Sequence, residues 1–364
     1  MENGKIISRT PGLTVAEISG APYEMGRAHG GLFAGEIALM RERLLSYLST
    51  VTYGIGGRAF LWYLGRLAGR MGRFVPAELK EEMRGIADGS RQDYRFIFLM
   101  NALDDMLVNL ACSAVAAGPG LTKDKKLIVG RNLDYPLFYD LLPMLNTVFK
   151  VRPDTGHSFV CVGWPGFASV VTGMNDAGLV IADLTSISRD RTMRGIPALL
   201  LNRTALQGAG TLEEAVDTYT RASRTVGKNI MAASPSRAVV LELSARSIST
   251  REAEGGLLAC ANHYTDPGMA AVQGSVTPPP KSDFPAHYYT YSFSKERMDA
   301  LERLSCGRDL EVEDVEKALS TPPVANDSNV QSVVFVPEAR RIFVAVRETT
   351  PVSQGAFVEV TGLF

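Results

Sequence analysis

A cysteine, an arginine and an aspartate occur within a short stretch that could bring them together. Cys112 is followed by Ser113, and Arg131 and Asp134 come 19 and 22 residues after the cysteine, in the segment GRNLD. One short β-hairpin would return both residues to the cysteine. A guanidinium beside a thiol favours the thiolate, and a carboxylate can orient a neighbouring amine. Spacing alone also fits a buried cysteine beside a surface Arg–Asp pair.

Other catalytic patterns are absent from the sequence. It contains no GxSxG, no P-loop, no GxGxxG behind a strand and no HExxH. Its histidines, at positions 29, 157, 263 and 287, are too widely spaced for a metal-ligand pattern, and no two cysteines lie closer than 46 positions. We therefore expect no metal site. His263 next to Asn262 permits a Cys/His pair with Cys112, but that pair would leave Arg131 and Asp134 unexplained, so a structural histidine is favoured.

The elements that must position these residues change in character near residue 112. Residues 1–111 predict mostly helices after one short N-terminal strand, whereas the later pattern is strands, two helices, strands, two helices, strands. A turn is predicted at residues 175–178, and Thr211 with Glu214 forms a predicted capping box. Blocks of adjacent strands predict an α+β fold, in which antiparallel sheets are layered against helices.

One predicted helix carries a row of positive charges. Arg66, Arg70 and Arg73 fall at i, i+4 and i+7 in a helix predicted over residues 58–74, close to Trp62 and Tyr63. Such a pattern fits a helix lying on a membrane surface or a solvated basic face on a packed helix. We favour the solvated face.

Composition restricts the class of protein. The 364 residues are 46% hydrophobic and 21% charged, which excludes disordered, collagen-like and coiled-coil classes. At about 150 residues per domain, the length predicts two domains or one domain with an appendage. The net charge of −1 gives no support for nucleic acid as a partner. Sparse cysteines, no signal-peptide pattern and no apolar stretch of spanning length predict a cytoplasmic protein without a membrane span.

The segment around Cys112 and the GRNLD strand resemble the N-terminal-nucleophile (Ntn) cysteine hydrolases. That group includes choloylglycine hydrolase, penicillin V acylase, acid ceramidase and the isopenicillin N acyltransferase-like family, of which the last is the most similar. Further similar motifs are YEMGRAHG at 23–30, EMRGIADG at 82–89, GMNDAGL at 173–179 and ANH at 261–263. The similarity runs from about residue 15 to about residue 305.

This resemblance implies a four-layer αββα sandwich of two antiparallel sheets. It also implies a precursor that cuts itself before the nucleophile, here at the Ala111–Cys112 bond. Residues 1–111 would then be a helical propeptide that stays attached as a small non-covalent subunit, and residues 112–364 the catalytic domain. The exposed α-amine would serve as the base for the thiol, since the pKa of an α-amine is about 7.7–8.0.

Carried over onto this sequence, the resemblance assigns roles to particular residues. Cys112 would be nucleophile and base, Asp134 would hydrogen-bond its α-amine, and Arg131 would favour the thiolate and help to hold substrate. Asn262 would donate to the oxyanion of the tetrahedral intermediate. Arg297 matches an arginine of the family's site.

Four further residues are candidates for contact with substrate. Thr185 occupies a position where some relatives place an Asn or Tyr beside the oxyanion. Tyr135, Trp164 and Phe167 would either line an acyl pocket or belong to the core.

The function implied is an amide hydrolase or acyltransferase that acts on a non-peptide or N-acyl amide through a Cys112 thioester. Its substrate would be a small N-acyl amide, and no metal or organic cofactor is implied. Hydrolysis versus transfer and the formation of a homo-oligomer stay open. The alternatives are a non-catalytic, uncleaved binding protein on the same fold and a Cys/His thiol hydrolase of unrelated fold.

Overall fold

Two β-sheets lie face to face in the computed structural model, which describes residues 3–51, 56–107, 111–135, 138–253, 255–274, 293–306 and 309–364. The strands are β1 Gly4–Thr10, β2 Leu13–Gly20, β3 Ala111–Ala117, β4 Ile128–Asp134, β5 Thr147–Pro153, β6 Phe159–Gly163, β7 Thr172–Asn175, β8 Val180–Thr185, β9 Lys228–Ala233, β10 Ala238–Leu243, β11 Ile248–Glu252, β12 Leu257–Cys260, β13 Asn329–Val336, β14 Arg341–Val346 and β15 Ala356–Glu359. The helices are α1 Pro22–Leu32, α2 Ala34–Val51, α3 Gly57–Ala68, α4 Ala77–Ser90, α5 Tyr94–Leu107, α6 Ala198–Gly208, α7 Leu212–Arg221, α8 Pro267–Ala270, α9 Ser294–Glu302 and α10 Val312–Ser320.

The strands divide into a nine-stranded and a six-stranded sheet. The larger sheet has the order β1-β2-β5-β6-β7-β8-β9-β10-β11, and the smaller has the order β12-β3-β4-β13-β14-β15. All neighbouring strands are antiparallel apart from β2 and β5, which are parallel. The predicted α+β fold with two antiparallel sheets is confirmed, with this one parallel pair added.

Helices cover the outer faces of both sheets. Helices α6 and α7 pack on the larger sheet, α9 and α10 pack on the smaller one, and β3 contacts β8 between the sheets. Strands β4, β8, β9 and β13 are buried along their whole length. Burial on both faces explains why these strands lack a clean apolar–polar alternation. The resulting order of layers is the predicted αββα.

The N-terminal segment joins the larger sheet as well as contributing helices. Strands β1 and β2 form a hairpin at the edge of that sheet, where the sequence predicted a single short strand. The motif at 23–30 lies in α1 and the motif at 82–89 lies in α4, and these two helices pack directly on each other. A Cβ atom on Gly26 would lie 1.9 Å from the Glu82 carbonyl oxygen, and one on Gly85 would lie 2.1 Å from the Tyr23 carbonyl oxygen. Glycine is therefore required for this close approach. The division at residue 111 stays a prediction.

The helix predicted over residues 58–74 is shorter in the structure. It ends before Gly69, where the Gly69 N–H donates to the Gly65 carbonyl oxygen and the Arg70 N–H donates to the Leu67 carbonyl oxygen in a tight turn. Arg66 lies in the last turn of α3, whereas Arg70 and Arg73 lie beyond its end. The prediction of three arginines on one helical face is wrong, because closely spaced glycines favour turns over a continued helix. Among the described residues, no helix is both long and apolar enough to cross a membrane.

Candidate active site

The Cys112 thiol lies against the guanidinium of Arg131. Strands β3 and β4 pair antiparallel, with Cys112 opposite Leu133 and Ala111 opposite Asp134. Arg131 Nη2 donates to Cys112 Sγ at 3.3 Å and to the backbone oxygen of Asp183 at 2.8 Å. The predicted short hairpin thus returns the arginine to the cysteine, and both side chains are fully buried rather than at the surface.

Burial controls the protonation of this thiol in the continuous chain. Removal from water raises the pKa of Cys112 to about 11, while the positive charge of Arg131 opposes the shift and the carboxylates of Asp134 and Asp183 add to it. The thiol is therefore protonated near neutral pH, and forming its thiolate requires a base.

Asn262 contacts the α-nitrogen of Cys112. Its Oδ1 accepts from Cys112 N at 2.9 Å, and its Nδ2 donates to the Thr185 carbonyl oxygen at 2.7 Å. Its own backbone N–H donates to Ser294 Oγ at 2.8 Å, at the start of α9. The sequence assigned the contact with the α-nitrogen to Asp134. In the continuous chain that partner is Asn262, and the role of Asp134 after cleavage stays a prediction.

Arg297, on α9, contacts the Cys112 backbone, the neighbouring Ser113 and Asn262. Its Nη2 donates to Asn262 Oδ1 at 2.7 Å, and its Nη1 donates to Ser113 Oγ at 2.8 Å and to the carbonyl oxygen of Cys112. The same Nη1 lies 3.7 Å from Asp134 Oδ2. Burial raises the pKa of Asp134, and the charge of Arg297 opposes that rise. The structure thus brings together Cys112, Arg131, Asp134, Asn262 and Arg297, whose catalytic roles stay predictions.

Lys228, on β9, is a buried charge that the sequence analysis did not single out. Its ammonium donates to Asp183 Oδ1 at 2.8 Å, to Thr185 Oγ1 at 3.1 Å and to the Asp104 carboxylate. Burial alone would lower its pKa, but the two carboxylates outweigh burial and raise it, so the lysine stays charged. Asp104, Asp183 and Lys228 lie far apart in the sequence, and only an arrangement of interacting strands makes them neighbours.

The alternative Cys/His pair is not formed. His263 Nδ1 lies 2.7 Å from Ser294 Oγ, whereas the hydrogen-bond partner described for the Cys112 thiol is Arg131. Cys161 and Cys260 are buried and unpaired in disulfides, as expected of core residues. No cluster of His, Cys, Asp or Glu suited to a metal occurs among the residues the structure describes.

An apolar cavity lies beside the nucleophile's strand pair. Its free volume for a water-sized sphere is about 50 Å³, and its lining includes Leu133, the residue paired with Cys112. Tyr135, Trp164 and Phe167, predicted to line an acyl pocket or to belong to the core, all line it. Its other lining residues come from helices α2, α5 and α6 and from segments that connect the strands: Met40, Leu44, Met100, Leu103, Asp104, Phe138, Leu142, Val171 and Leu199.

The chain is similar in sequence to one protein family and to several individual proteins. The model of the acyl-coenzyme A:6-aminopenicillanic acid acyl-transferase family matches residues 121–322, more than half of the chain, in a stretch that begins after Cys112. An uncharacterized protein from Archaeoglobus fulgidus is 28% identical over 317 residues, which cover 73% of this chain and 52% of that protein. The Dictyostelium discoideum protein dcd1A is 27% identical over 241 residues, covering 58% and 54% of the two chains. The chain thus spans about half the length of these relatives.

One solved structure is similar at low sequence identity. The Caenorhabditis elegans ortholog of N-acylethanolamine-hydrolyzing acid amidase superposes with a TM-score of 0.48 at 18% identity, covering 62% of this chain and 93% of that one. The extent of the family match decides the assignment. The chain belongs to the acyl-coenzyme A:6-aminopenicillanic acid acyl-transferase family, within the Ntn-hydrolase superfamily.

Proposed function

We propose that this chain is a cysteine amide hydrolase or acyltransferase that activates itself by cleaving its Ala111–Cys112 bond. One observation carries the proposal: three buried side chains contact three groups of Cys112, two of which, the thiol and the α-nitrogen, would react. Arg131 contacts the thiol, Asn262 the α-nitrogen and Arg297 the carbonyl oxygen. A structural cysteine does not need such a set of charge-assisted contacts.

Self-cleavage would begin with attack of the Cys112 thiol on the carbonyl carbon of Ala111. The C–N bond breaks, the α-nitrogen takes the proton that the thiol gives up, and a thioester forms between Ala111 and Sγ. Water hydrolyses the thioester, which leaves a carboxylate on Ala111 and a free α-amine on Cys112. Asn262 Oδ1, already hydrogen-bonded to that nitrogen, would hold the new amine in place.

Turnover would use the same atoms on an external amide. The α-amine, with an ordinary pKa of about 7.7–8.0, accepts the thiol proton, and Arg131 stabilises the thiolate. Attack on the substrate carbonyl expels the amine, which takes the proton, and leaves an acyl thioester on Cys112. Water then completes hydrolysis, or a second amine completes acyl transfer. Asn262 Nδ2 carries two hydrogens, so it would donate one to the Thr185 carbonyl and the other to the oxyanion.

The apolar cavity supports a substrate with an apolar acyl group. Among the lining residues that the structure describes, all but Asp104 and Tyr135 have aliphatic, aromatic or methionine side chains. Burying an acyl chain there would stabilise the complex by about 0.8 kcal/mol per methylene. We infer a small N-acyl amide whose acyl group enters the cavity while its amide lies at Cys112.

Intact-mass spectrometry of the purified chain tests the proposal. Cleavage at Ala111–Cys112 should convert 39.4 kDa into fragments of about 12 and 27 kDa, in proportion to 111 and 253 of the 364 residues. Cys112→Ala should stay whole and lack thiol-dependent hydrolysis of N-acyl coumarin amides. Cys260→Ala, which removes another buried thiol, should still cleave. A wild-type chain that stays whole and hydrolyses none of these amides would instead be an uncleaved, non-catalytic protein.

A further inference from the structure

We propose that Lys228 is a positioning residue for this site, and that Asp104, from the segment ahead of the cleavage bond, holds it in place. The inference rests on the proposed function. The new element is that the N-terminal segment supplies a charge, that of Asp104, on which the geometry of the site depends. Neither residue touches the reacting atoms, so neither is a catalytic residue.

Two residues on β8 hold the side chains that contact Cys112. The backbone oxygen of Asp183 accepts from Arg131, at 2.8 Å, and the backbone oxygen of Thr185 accepts from Asn262, at 2.7 Å. Two carbonyls on one strand therefore hold the side chains that contact the thiol and the α-nitrogen of Cys112. A shift of β8 would displace both contacts together.

Lys228 binds the side chains of the same two residues. Asp183 and Thr185 are separated by one position, so their side chains lie on the same face of β8. The Lys228 ammonium donates to both, at 2.8 and 3.1 Å. One ammonium group thus fixes the two residues whose carbonyls position Arg131 and Asn262.

Asp104 completes this arrangement from α5. Its carboxylate accepts from Lys228 Nζ, and the side chains of Lys228 and Asp183 are 2% and 0% exposed. Water cannot replace a lost partner at such burial, so removing the Asp104 charge leaves the ammonium held by one carboxylate only. Asp104 makes no described hydrogen bond or ion pair with Cys112, Arg131 or Asn262. The charge of Arg131 acts on it only through space, so Lys228 is its direct link to β8.

Asp104→Asn tests this inference, with Asp105→Asn as the matched control. Asp105 is the next residue on α5 and is also buried, but it accepts from the Ala198 N–H at 3.0 Å and from the Thr225 hydroxyl. With an N-acyl coumarin amide, we expect Asp104→Asn to lower kcat about tenfold and to leave KM within about threefold. Asp105→Asn should keep kcat within about twofold.

The division between kcat and KM decides the role of Asp104. Because Asp104 also lines the apolar cavity, a rise in KM at unchanged kcat would make it a substrate contact and overturn the inference. Equal losses of kcat in the two variants would overturn it as well, since they would reflect a general effect of buried charge.

Hydrogen exchange keeps the inference testable without turnover. In the whole Cys112→Ala chain, Asp104→Asn should speed amide exchange of β8 about tenfold, and Asp105→Asn should not. Unchanged exchange in β8 would overturn the positioning role. A wild-type chain that neither cleaves nor hydrolyses an amide would count against the proposed function, while the exchange result would still decide the role of Lys228.

Discussion

At the scale of single residues, Asn262 uses the two ends of its amide for different purposes. The oxygen accepts from the Cys112 N–H and from Arg297, and the nitrogen donates to the Thr185 carbonyl. The sequence predicted only the donor role, in an oxyanion hole. An isosteric carboxylate would retain the acceptor and remove the donor, which separates the two roles.

Asn262→Asp should therefore keep the contact with the Cys112 nitrogen and lose turnover. Removal of one oxyanion donor costs about 2.7–4 kcal/mol, so kcat should fall by about 100-fold or more. Rates of self-cleavage and of amide hydrolysis would be measured separately on the same preparation.

The control for that variant is Asn175→Asp. Asn175 is also fully buried and donates to two backbone carbonyls, those of Leu206 and Ala209, in the β7–β8 turn away from Cys112. It should lose stability without a comparable loss of kcat per folded molecule. Turnover of Asn262→Asp close to wild type would remove Asn262 from the role of oxyanion donor.

His29 gives a residue-scale prediction about stability. Its Nε2 accepts from the Gly166 N–H at 2.9 Å, and burial, assisted by the charge of Arg203, lowers its pKa from 6.5 to about 3. The imidazole is neutral in both states above pH 6.5, whereas below it the unfolded chain gains a proton that the folded chain does not. The stability that depends on neutral His29 is thus complete above pH 6.5 and is lost as the pH falls towards 3.

The free energy of unfolding should accordingly fall by about 1.4 kcal/mol per pH unit below 6.5 from this group alone. Denaturant titrations of the uncleaved Cys112→Ala chain would measure it, since that chain avoids a two-fragment equilibrium. His29→Gln should reduce the slope between about pH 6 and 4. The loss of stability caused by His29→Gln should be constant above about pH 7.5, where His29 is neutral in the folded and in the unfolded chain. Equal slopes in the two proteins would show that His29 is not buried as a neutral group.

At the scale of elements, the sequence predicted those features that depend on neighbouring residues along the chain. It did not predict strands whose charged residues are buried by distant partners. The Thr211–Glu214 capping box forms at the start of α7 as predicted, because both of its hydrogen bonds are local. Strands β5 and β9 were not predicted. They contain Lys150 and Lys228, whose burial depends on partners far along the chain: the Thr361 and Gly362 carbonyls for one, and Asp104 and Asp183 for the other.

The site residues that the sequence predicted are those that local strand register brings together. Arg131 and Asp134 could be predicted because one hairpin returns them to Cys112, a matter of local register. The contacts of Lys228 with β8 could not be predicted, because no spacing in the sequence links α5, β8 and β9. The motifs at 23–30 and 82–89 were noted as similar to a family, but their physical purpose, a close helix crossing, appears only when both helices are placed.

The α1–α4 crossing makes an element-scale prediction. Gly26→Ala places a methyl group 1.9 Å from a backbone oxygen of α4, so the helices must separate and the free energy of unfolding should fall by about 1–3 kcal/mol or more. Gly35→Ala, near the start of α2, meets nothing within 4 Å and should be neutral or raise stability by up to about 1 kcal/mol. Thermal and denaturant unfolding of the Cys112→Ala chain would compare them. A Gly26→Ala chain as stable as Gly35→Ala would contradict the close crossing.

At the scale of the whole molecule, the segments on either side of the Ala111–Cys112 bond share a sheet, a core and a cavity. Strand β2 pairs with β5 along seven residues, and Glu82 of α4 forms a buried ion pair with Arg203 of α6 at 2.9 Å. The apolar cavity takes Met40 and Leu103 from one segment and Trp164 and Phe167 from the other. The substrate cavity that we propose therefore does not exist in either segment alone.

This shared construction predicts that the fragments stay together after cleavage. Because the pairing of β2 with β5 and the Glu82–Arg203 contact are buried, salt should screen them little, whereas exposed ion pairs would be lost. Fragments of about 12 and 27 kDa should co-elute in size-exclusion chromatography even at about 1 M salt, and amide hydrolysis should co-elute with them. Denaturant should separate them, and removing it from the large fragment alone should not restore activity. Active large fragment without its partner would show that the N-terminal segment contributes neither the cavity wall nor Asp104 to turnover.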